Sequence, residues 1–434
     1  MAEPLNLSGH GLPAGRVHLS FVGGVDNRSH ATQLAAGFVR SAENVDIDAD
    51  GVAKSRDGNE LWVDLPGAHS LWDHPLLTFG LVADAATLYR LDDDGTLSSL
   101  TTGLNGSRLS YAVIGRHAFW SNGVQTGRVD LLGAAGGWGV ETPLPAFGVA
   151  AIANGGLFAG RYGVSMTFTN AAGEEGGAPE TEYVDVAEGG GIQISGVPVS
   201  GDGLATAARI YVTSANGTEM FHAATVAPGT AVVATGAGER GKPLATQFCE
   251  PFPPAAHLLA KAGRLIGGVG RRLVWSQALY PGLWRPTQNS LTLPDEITMI
   301  AAPDSPQFVL YVATRKRVYV LQGESIDSTT LSVACAAGAQ PGSMAMLPAE
   351  VLHMDGVTTA TPLWAGTDGV PYAGLLSGVV PLTDKFVYPI YDQAAAGFVQ
   401  QGGLSRYLVS GRGGKTSGLA MGDRVSAEVI QGGP

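Results

Sequence analysis

Asp46, Asp48 and Asp50 stand at alternate positions ahead of Gly51 in "AENVDIDADGVAKSRDG", residues 42–58. Carboxylates at the first, third and fifth places, closed by a glycine, open a calcium-binding loop, in which a bidentate glutamate at position twelve completes the oxygen shell. Position twelve here is Asp57, one methylene short, and Glu60 falls three residues too late. The following "GVAKSRDGNELWVDLPG" has no apolar repeat at helical spacing, so the second flanking helix is missing. The other reading is a β-hairpin, with Val45 and Ile47 on one face, Asp46 and Asp48 on the other, Ala49-Asp50-Gly51 turning and Val52 starting the return strand. The hairpin is the favoured reading. A calcium ion on Asp46, Asp48 and Asp50 is the alternative, and no cofactor is expected.

The remaining motifs point to loops and packing. "GAGERG" (236–241) has the glycine spacing of a dinucleotide turn, but that mechanism rests phosphate on a helix N-terminus. Lys242-Pro243 follow with no helical pattern, so a Gly-rich loop is expected. Gly414-Lys415-Thr416 in "SGRGGKTSG" ends like a phosphate loop, yet Val409 occupies the place of its first glycine, which leaves a basic surface turn. The nine histidines form no HExxH pair, and His69 and His74, beside Trp72, read as surface or packing residues. No GxSxG elbow occurs. Glu174-Glu175 and Asp92-Asp93-Asp94 lie in turn sequences and are expected to be solvated. Among seven tryptophans, Trp120 and Trp275 fall at one point of a repeated unit, which favours core packing over sugar stacking. No catalytic residue is assigned, and an enzyme is not expected.

The 434-residue chain has 62 glycines, 45% hydrophobic residues, 15% charged residues and a net charge of −12. Low charge with ample apolar content excludes a disordered chain, and abundant Gly with Val, Thr and Leu points to short strands and many turns. An acidic surface repels phosphate backbones and so argues against gripping a duplex, though not against DNA passing without sticking. Cys249 and Cys335 are the only cysteines, which fits synthesis in a reducing cytoplasm. The opening "MAEPLNLSGHGLPAGR" lacks the basic and apolar regions of a secretory signal. No run approaches the length of a membrane-spanning helix, so no membrane span is expected.

Helical periodicity is confined to "SHATQLAAGFV" (29–39), with Leu34, Ala35 and Phe38 at helical spacing and Ser29 as N-cap. Elsewhere, units of strand, tight turn, strand and polar turn recur, as in "LLTFGLVADAATLYRLDDDGTLSSL" (76–100), "SRLSYAVIGRHAFWSNGVQTGRVDL" (107–131), "RLIGGVGRRLVWS", "LYVATRKRVYVLQ" and "LWAGTDGVPYAGL". Antiparallel meanders repeating at such intervals predict an all-β β-propeller of five or six blades, complete or incomplete, with a pair of sandwiches as the competing arrangement. The stretch 145–255 predicts an inserted immunoglobulin- or fibronectin type III-like sandwich, with Val164, Met166 and Phe168 inward and Ser165 and Thr167 outward. The expected divisions are 1–144 for the hairpin and first blades, 145–255 for the sandwich and 256–434 for the remaining blades. The Pro-rich "TPLPAFG" (142–148) and "CEPFPPAAH" (249–257) are the expected linkers.

The N-terminal stretch resembles the corresponding region of tail nozzle or hub (tail tubular) proteins of short-tailed bacteriophages. The matching residues are Asn44, Asp46, Gly51, Arg56 and Gly58, with Trp62 after them on an aromatic strand entering a propeller. Gly51 would supply the hairpin's left-handed residue and Arg56 a clamp beneath it. "RYGVSMTFTNAAGEEGGAPE" is similar to the fibronectin-like modules inserted in such propellers. The resemblance implies a structural virion protein of the tail, made in the host cytoplasm, forming a sixfold ring with copies of itself. Portal-adaptor and tail fibre or spike proteins would be its neighbours, and double-stranded DNA would pass through the ring without specific binding. The alternatives are a glycan- or receptor-binding propeller and, third, a propeller-fold polysaccharide hydrolase or lyase.

Overall fold

A computed structural model describes residues 20–413, apart from 49, 56–59, 145, 353–356 and 402–403. The chain divides into two compact units, one of Leu61–Gly338 and one of Met1–Glu60 with Ala339–Pro434. Among the described residues, both consist of strands and connecting loops with very little helix. The helical elements among the described residues are the 3-10 turns Ala31–Gln33 and Ile326–Ser328 and the short α-helix Ala349–Leu352. No described helix is long and apolar enough to cross a membrane.

Within Leu61–Gly338, four antiparallel meanders of four strands each follow one another. Blade one comprises Ala68–Trp72, Gly80–Asp84, Thr87–Leu91 and Leu97–Thr102. Blade two comprises Ser110–Ile114, His117–Ser121, Thr126–Asp130 and Ala135–Gly136. Blade three comprises His257–Lys261, Arg264–Val269, Arg272–Trp275 and Ser290–Thr292. Blade four comprises Ile297–Ala301, Phe308–Thr314, Val318–Gly323 and Thr330–Cys335.

The two-residue period of a strand explains how these sheets stack. Trp120 faces a core shared with Leu81 and Leu88 of blade one. Its neighbour Phe119 faces the opposite core, shared with Leu265 and Val274 of blade three. Ile266, Leu273 and Trp275 then turn to a third core with Ile300, Leu310 and Val312 of blade four. Each inner sheet is therefore apolar on both faces, which is the packing of propeller blades, and the central strands read as near-continuous apolar runs. The leading strands of blades two to four begin at one end and run alike. Leu258 N donates to Ser110 Oγ at 2.8 Å, and His257 Nε2 lies 3.1 Å from Ile297 O. At the far end, Lys261 Nζ donates to Pro303 O and Ser305 O at 2.8 and 2.6 Å.

Between blades two and three the chain forms a sandwich. Gly148–Leu157, Gly190–Ser195 and Val232–Thr235 make a three-stranded sheet. Glu182–Val186, Gly160–Asn170, Ala205–Thr213 and Met220–Val226 make a four-stranded one. Val164, Met166, Phe168, Ile192, Ile194 and Ile210 fill the space between them, with Val164, Met166 and Phe168 inward as the alternation predicts. The expectation that Ser165 and Thr167 face solvent fails: both are fully buried, because residues 173–179 fold across the outer face.

In the other unit, Ala345–Leu347, Thr361–Ala365, Pro371–Gly374 and Val379–Pro381 form a fifth four-stranded meander. The long hairpin Gln393–Gln401 with Leu404–Arg412 shares its core, through Ala394, Tyr407 and Val409 against Leu363, Ala373 and Tyr388. The helix expected over 29–39 is absent. Only Ala31–Gln33 turn, capped by His30 rather than Ser29, and Phe38–Val39 pair in parallel with Gly24–Val25. Gly37, at φ +88°, ends any helical path there. The chain is all-β, made of propeller-type blades with an inserted sandwich.

Candidate functional site

The acidic hairpin forms as read from the sequence, with Val45–Ile47 paired to Ala53–Ser55 and Asp46 opposite Lys54. The return strand begins at Ala53, one residue later than expected. Asp48 organises the turn. Its Oδ1 accepts from Asp50 N at 3.1 Å and Val52 N at 2.9 Å, and Oδ2 lies 2.9 Å from Lys54 Nζ. The Lys54 bond, then the Val52 amide, holds its carboxyl below the usual carboxylate range. Asp46 points elsewhere, with Oδ2 3.2 Å from Arg406 Nη1 on the strand Leu404–Arg412. At Asp50 the backbone carbonyl accepts from Ser20 Oγ at 2.8 Å. The three carboxylates do not converge, and among the described residues no group of acidic, His or Cys side chains is gathered to hold a metal.

Gly51 has φ +76°, and a Cβ there would stand 2.5 Å from both Ser20 Oγ and Val22 N. It thus supplies the left-handed residue and also seats the 20–22 segment, whose Phe21 N donates to Gly51 O at 2.7 Å. Asn44 also has a positive φ, +55°. Trp62 was expected on a strand; it lies in an exposed coil beside the Gly95 turn. Arg56 and Gly58 lie outside the described residues. The guanidinium seen at the hairpin is Arg406, which nothing near the motif announces.

The Glu174-Glu175 pair was expected to be solvated, and this is corrected. Glu175 Oε1 accepts from Thr167 Oγ1 at 2.6 Å and from Tyr211 OH at 2.5 Å, and Oε2 lies 2.9 Å from Arg209 Nη1. Burial, then this bond to Glu175, raises the Tyr211 hydroxyl well above its ordinary pKa. Glu174 reaches the other way, 2.5 Å from Arg128 Nη1 on blade two. The intervening backbone is fixed by Gly177, where a Cβ would overlap the Cys249 carbonyl at the expected exit linker. "GEEGG" therefore ties the sandwich both to itself and to a blade. The turn amides could have suggested a loop, but not that it folds back onto a sheet.

Trp120, Trp138, Trp275, Trp284 and Trp364 are all buried, so the core reading of Trp120 and Trp275 holds. A groove of about 500 Å³ opens beside Trp275, lined also by Gln288, Ser290, Asp327, Thr329 and Leu331. Its one carboxylate, Asp327, accepts from Trp275 Nε1 at 2.9 Å and from Arg264 Nη2. With both oxygens so engaged, it is a brace between blades rather than a poised base. His74 stacks on Trp72 with centroids 5.7 Å apart, and His69 Nε2 lies 3.2 Å from Ala85 O. "GAGERG" follows Val232–Thr235 as a loop, its Ala237 N donating to Gly155 O at 2.6 Å. Gly414, Lys415 and Thr416 lie outside the described residues.

No protein-family model and no curated protein matches the chain. Among solved structures it is similar to virginiamycin B lyase from Staphylococcus aureus, at 8% identity and TM-score 0.33, over 79% of this chain and 92% of that one. It is also similar to the dihydro-heme d1 dehydrogenase NirN, at 11% identity and TM-score 0.32, over 78% of this chain and 59% of that one. A third likeness is to BBS1N, at 12% identity and TM-score 0.31, over 80% and 89%. Two of these neighbours are enzymes by name. At such scores the likenesses carry no argument about activity, and the fold class rests on the strand pairings above.

Proposed function

We propose that this chain is a structural protein of a phage tail, assembling with copies of itself into a ring around the path of exiting DNA. The observation that carries the reading is that its most chemically capable carboxylates act as ties between elements. Asp46 joins the first hairpin to the last, Glu175 braces the outer face of the sandwich, Glu174 joins sandwich to blade, and Asp327 joins two blades. Scaffolding of this sort suits a wall better than a reaction centre. The resemblance around Asn44, Asp46 and Gly51 supplies the tail assignment, and the net charge of −12 suits a surface past which DNA slides. Portal-adaptor and fibre or spike proteins are the neighbours this reading implies. A glycan-binding propeller would need several exposed aromatic rings together, whereas Trp62 is the one exposed tryptophan, Trp72 is half-buried, and the exposed Phe158, Tyr183, Phe248 and Tyr280 belong to separate segments of the chain.

Negative-stain microscopy of the purified protein, with antibody labelling of virions, tests the reading. Closed rings and label at the tail are expected. A protein that stays monomeric, and a virion that carries no label, would end it.

A further inference from the structure

The loops at the two ends of blades one to four carry opposite charge. At the end where the leading strands begin, Arg271 and the turn Arg315-Lys316-Arg317 are exposed. Hydrogen bonds join these turns into one surface. Leu293 N donates to Arg271 O at 2.8 Å, Ile297 N donates to Gly270 O at 2.9 Å, and Lys316 Nζ lies 2.8 Å from Asp295 Oδ1. Arg108, exposed just before blade two, brings its charge to the same end near His257. The facing acids are Asp295, held by Lys316, and the exposed Glu296, with Asp64 and Asp84 farther round at blade one.

At the opposite end the balance reverses. The turn Asp92-Asp93-Asp94 projects from blade one, and Asp304, Glu324 and Asp327 are exposed on blade four. Cations there are mostly occupied, Arg90 with Asp92 at 2.6 Å, Arg264 with Asp327, and Lys261 with two carbonyls. Arg116 is an exposed exception.

We infer that the Arg271 and Arg315–Arg317 surface of one copy docks on the acidic end, centred on Asp92–Asp94, of the next. The inference deepens the ring reading and rests on it for the identity of the partner. Copies of a chain with net charge −12 repel one another at long range, so contact is favoured where one copy's cations meet another's carboxylates. A contact between two unlike surfaces is head-to-tail, and it closes into a ring if the rotation allows.

Sedimentation velocity at about 0.05 M and about 0.5 M salt, where the Debye length falls several-fold, tests it. Wild type is expected to assemble at low salt and to dissociate at high salt. The R315E/K316E/R317E and D92K/D93K/D94K variants should each assemble about tenfold or more weakly. An equimolar mixture of the two should regain assembly, because reversed ends then meet with opposite sign. Wild-type-like melting of each variant is the folding control, and R315Q/K316Q/R317Q replaces a reversed variant that fails it, again with weaker assembly expected. Rings that persist through both reversals would overturn this contact and leave the ring reading standing. A monomer under every condition would overturn both. Cation-dependent binding of duplex DNA, with assembly unchanged by the reversals, would reassign the basic surface to a phosphate backbone.

Discussion

The carboxylate of Asp46 accepts a hydrogen bond from the guanidinium of Arg406 at 3.2 Å, across 360 residues of sequence. Both side chains are largely sheltered, at 22% and 13% exposure, so the pair is screened less than a surface ion pair. Removing one partner leaves the other charge short of a bond. Arg406→Met or Asp46→Ala should each cost about 1–3 kcal/mol of stability, with a smaller loss in the double mutant than the sum of the two. A double-mutant cycle by urea unfolding checks this, and strict additivity would show the pair to be uncoupled.

Glu175 is the acceptor for three donors, Thr167, Tyr211 and Arg209. Glu175→Ala strands all three and should destabilise by about 3 kcal/mol, while Glu175→Gln, which keeps an acceptor, should lose less. Differential scanning calorimetry of the two variants gives the order. Equal losses would mean that the carboxylate charge, rather than the hydrogen-bond geometry, holds residues 173–179 down.

Gly51→Ala meets two penalties at once. An L-residue at φ +76° costs about 1–2 kcal/mol, and the new methyl would stand 2.5 Å from Val22 N. The substitution should loosen the 20–22 segment, read as faster amide exchange at Phe21, whose N–H bonds Gly51 O. Unchanged protection of Phe21 would show that the seat is not fixed by the glycine.

His257 makes stability depend on pH. Burial, then the nearby Arg108, pushes its imidazole down to about 4. An unfolded chain takes up that proton near pH 6.5, so the folded state loses stability as pH falls from about 6.5 to about 4, by at most about 3 kcal/mol, and no further below. Above pH 6.5 both states are neutral there and the contribution is flat. His257→Gln should remove this part of the slope in melts between pH 7 and 4, and a variant that keeps the wild-type slope would assign the dependence to other groups.

The hairpin at 45–55 was legible because alternation and an Asp-x-Asp-Gly turn are local signals, and Gly51 carries its own conformational requirement. The blades were legible for a related reason, since meanders join neighbours in sequence and repeat their turn chemistry. The sandwich core at Val164, Met166 and Phe168 followed from period two. The 29–39 segment misled, because helical spacing over a few residues gives too little buried face to outweigh Gly37 and the parallel pairing of Phe38–Val39. Calcium-like spacing also proved indifferent to convergence: spacing places Asp46 and Asp48 on one face, but only the fold sets Arg406 against the first and Lys54 against the second.

By itself, then, the sequence determined strand, turn and core, which depend on the order of apolar and polar residues along a few neighbours. The tertiary structure decided which charges meet. Glu175 became a half-buried brace, Asp327 a link between blades, and the Arg271 and Arg315–Arg317 turns one basic surface, because electrostatic partners are set by proximity in space, and these ion pairs join residues between 21 and 63 positions apart along the chain.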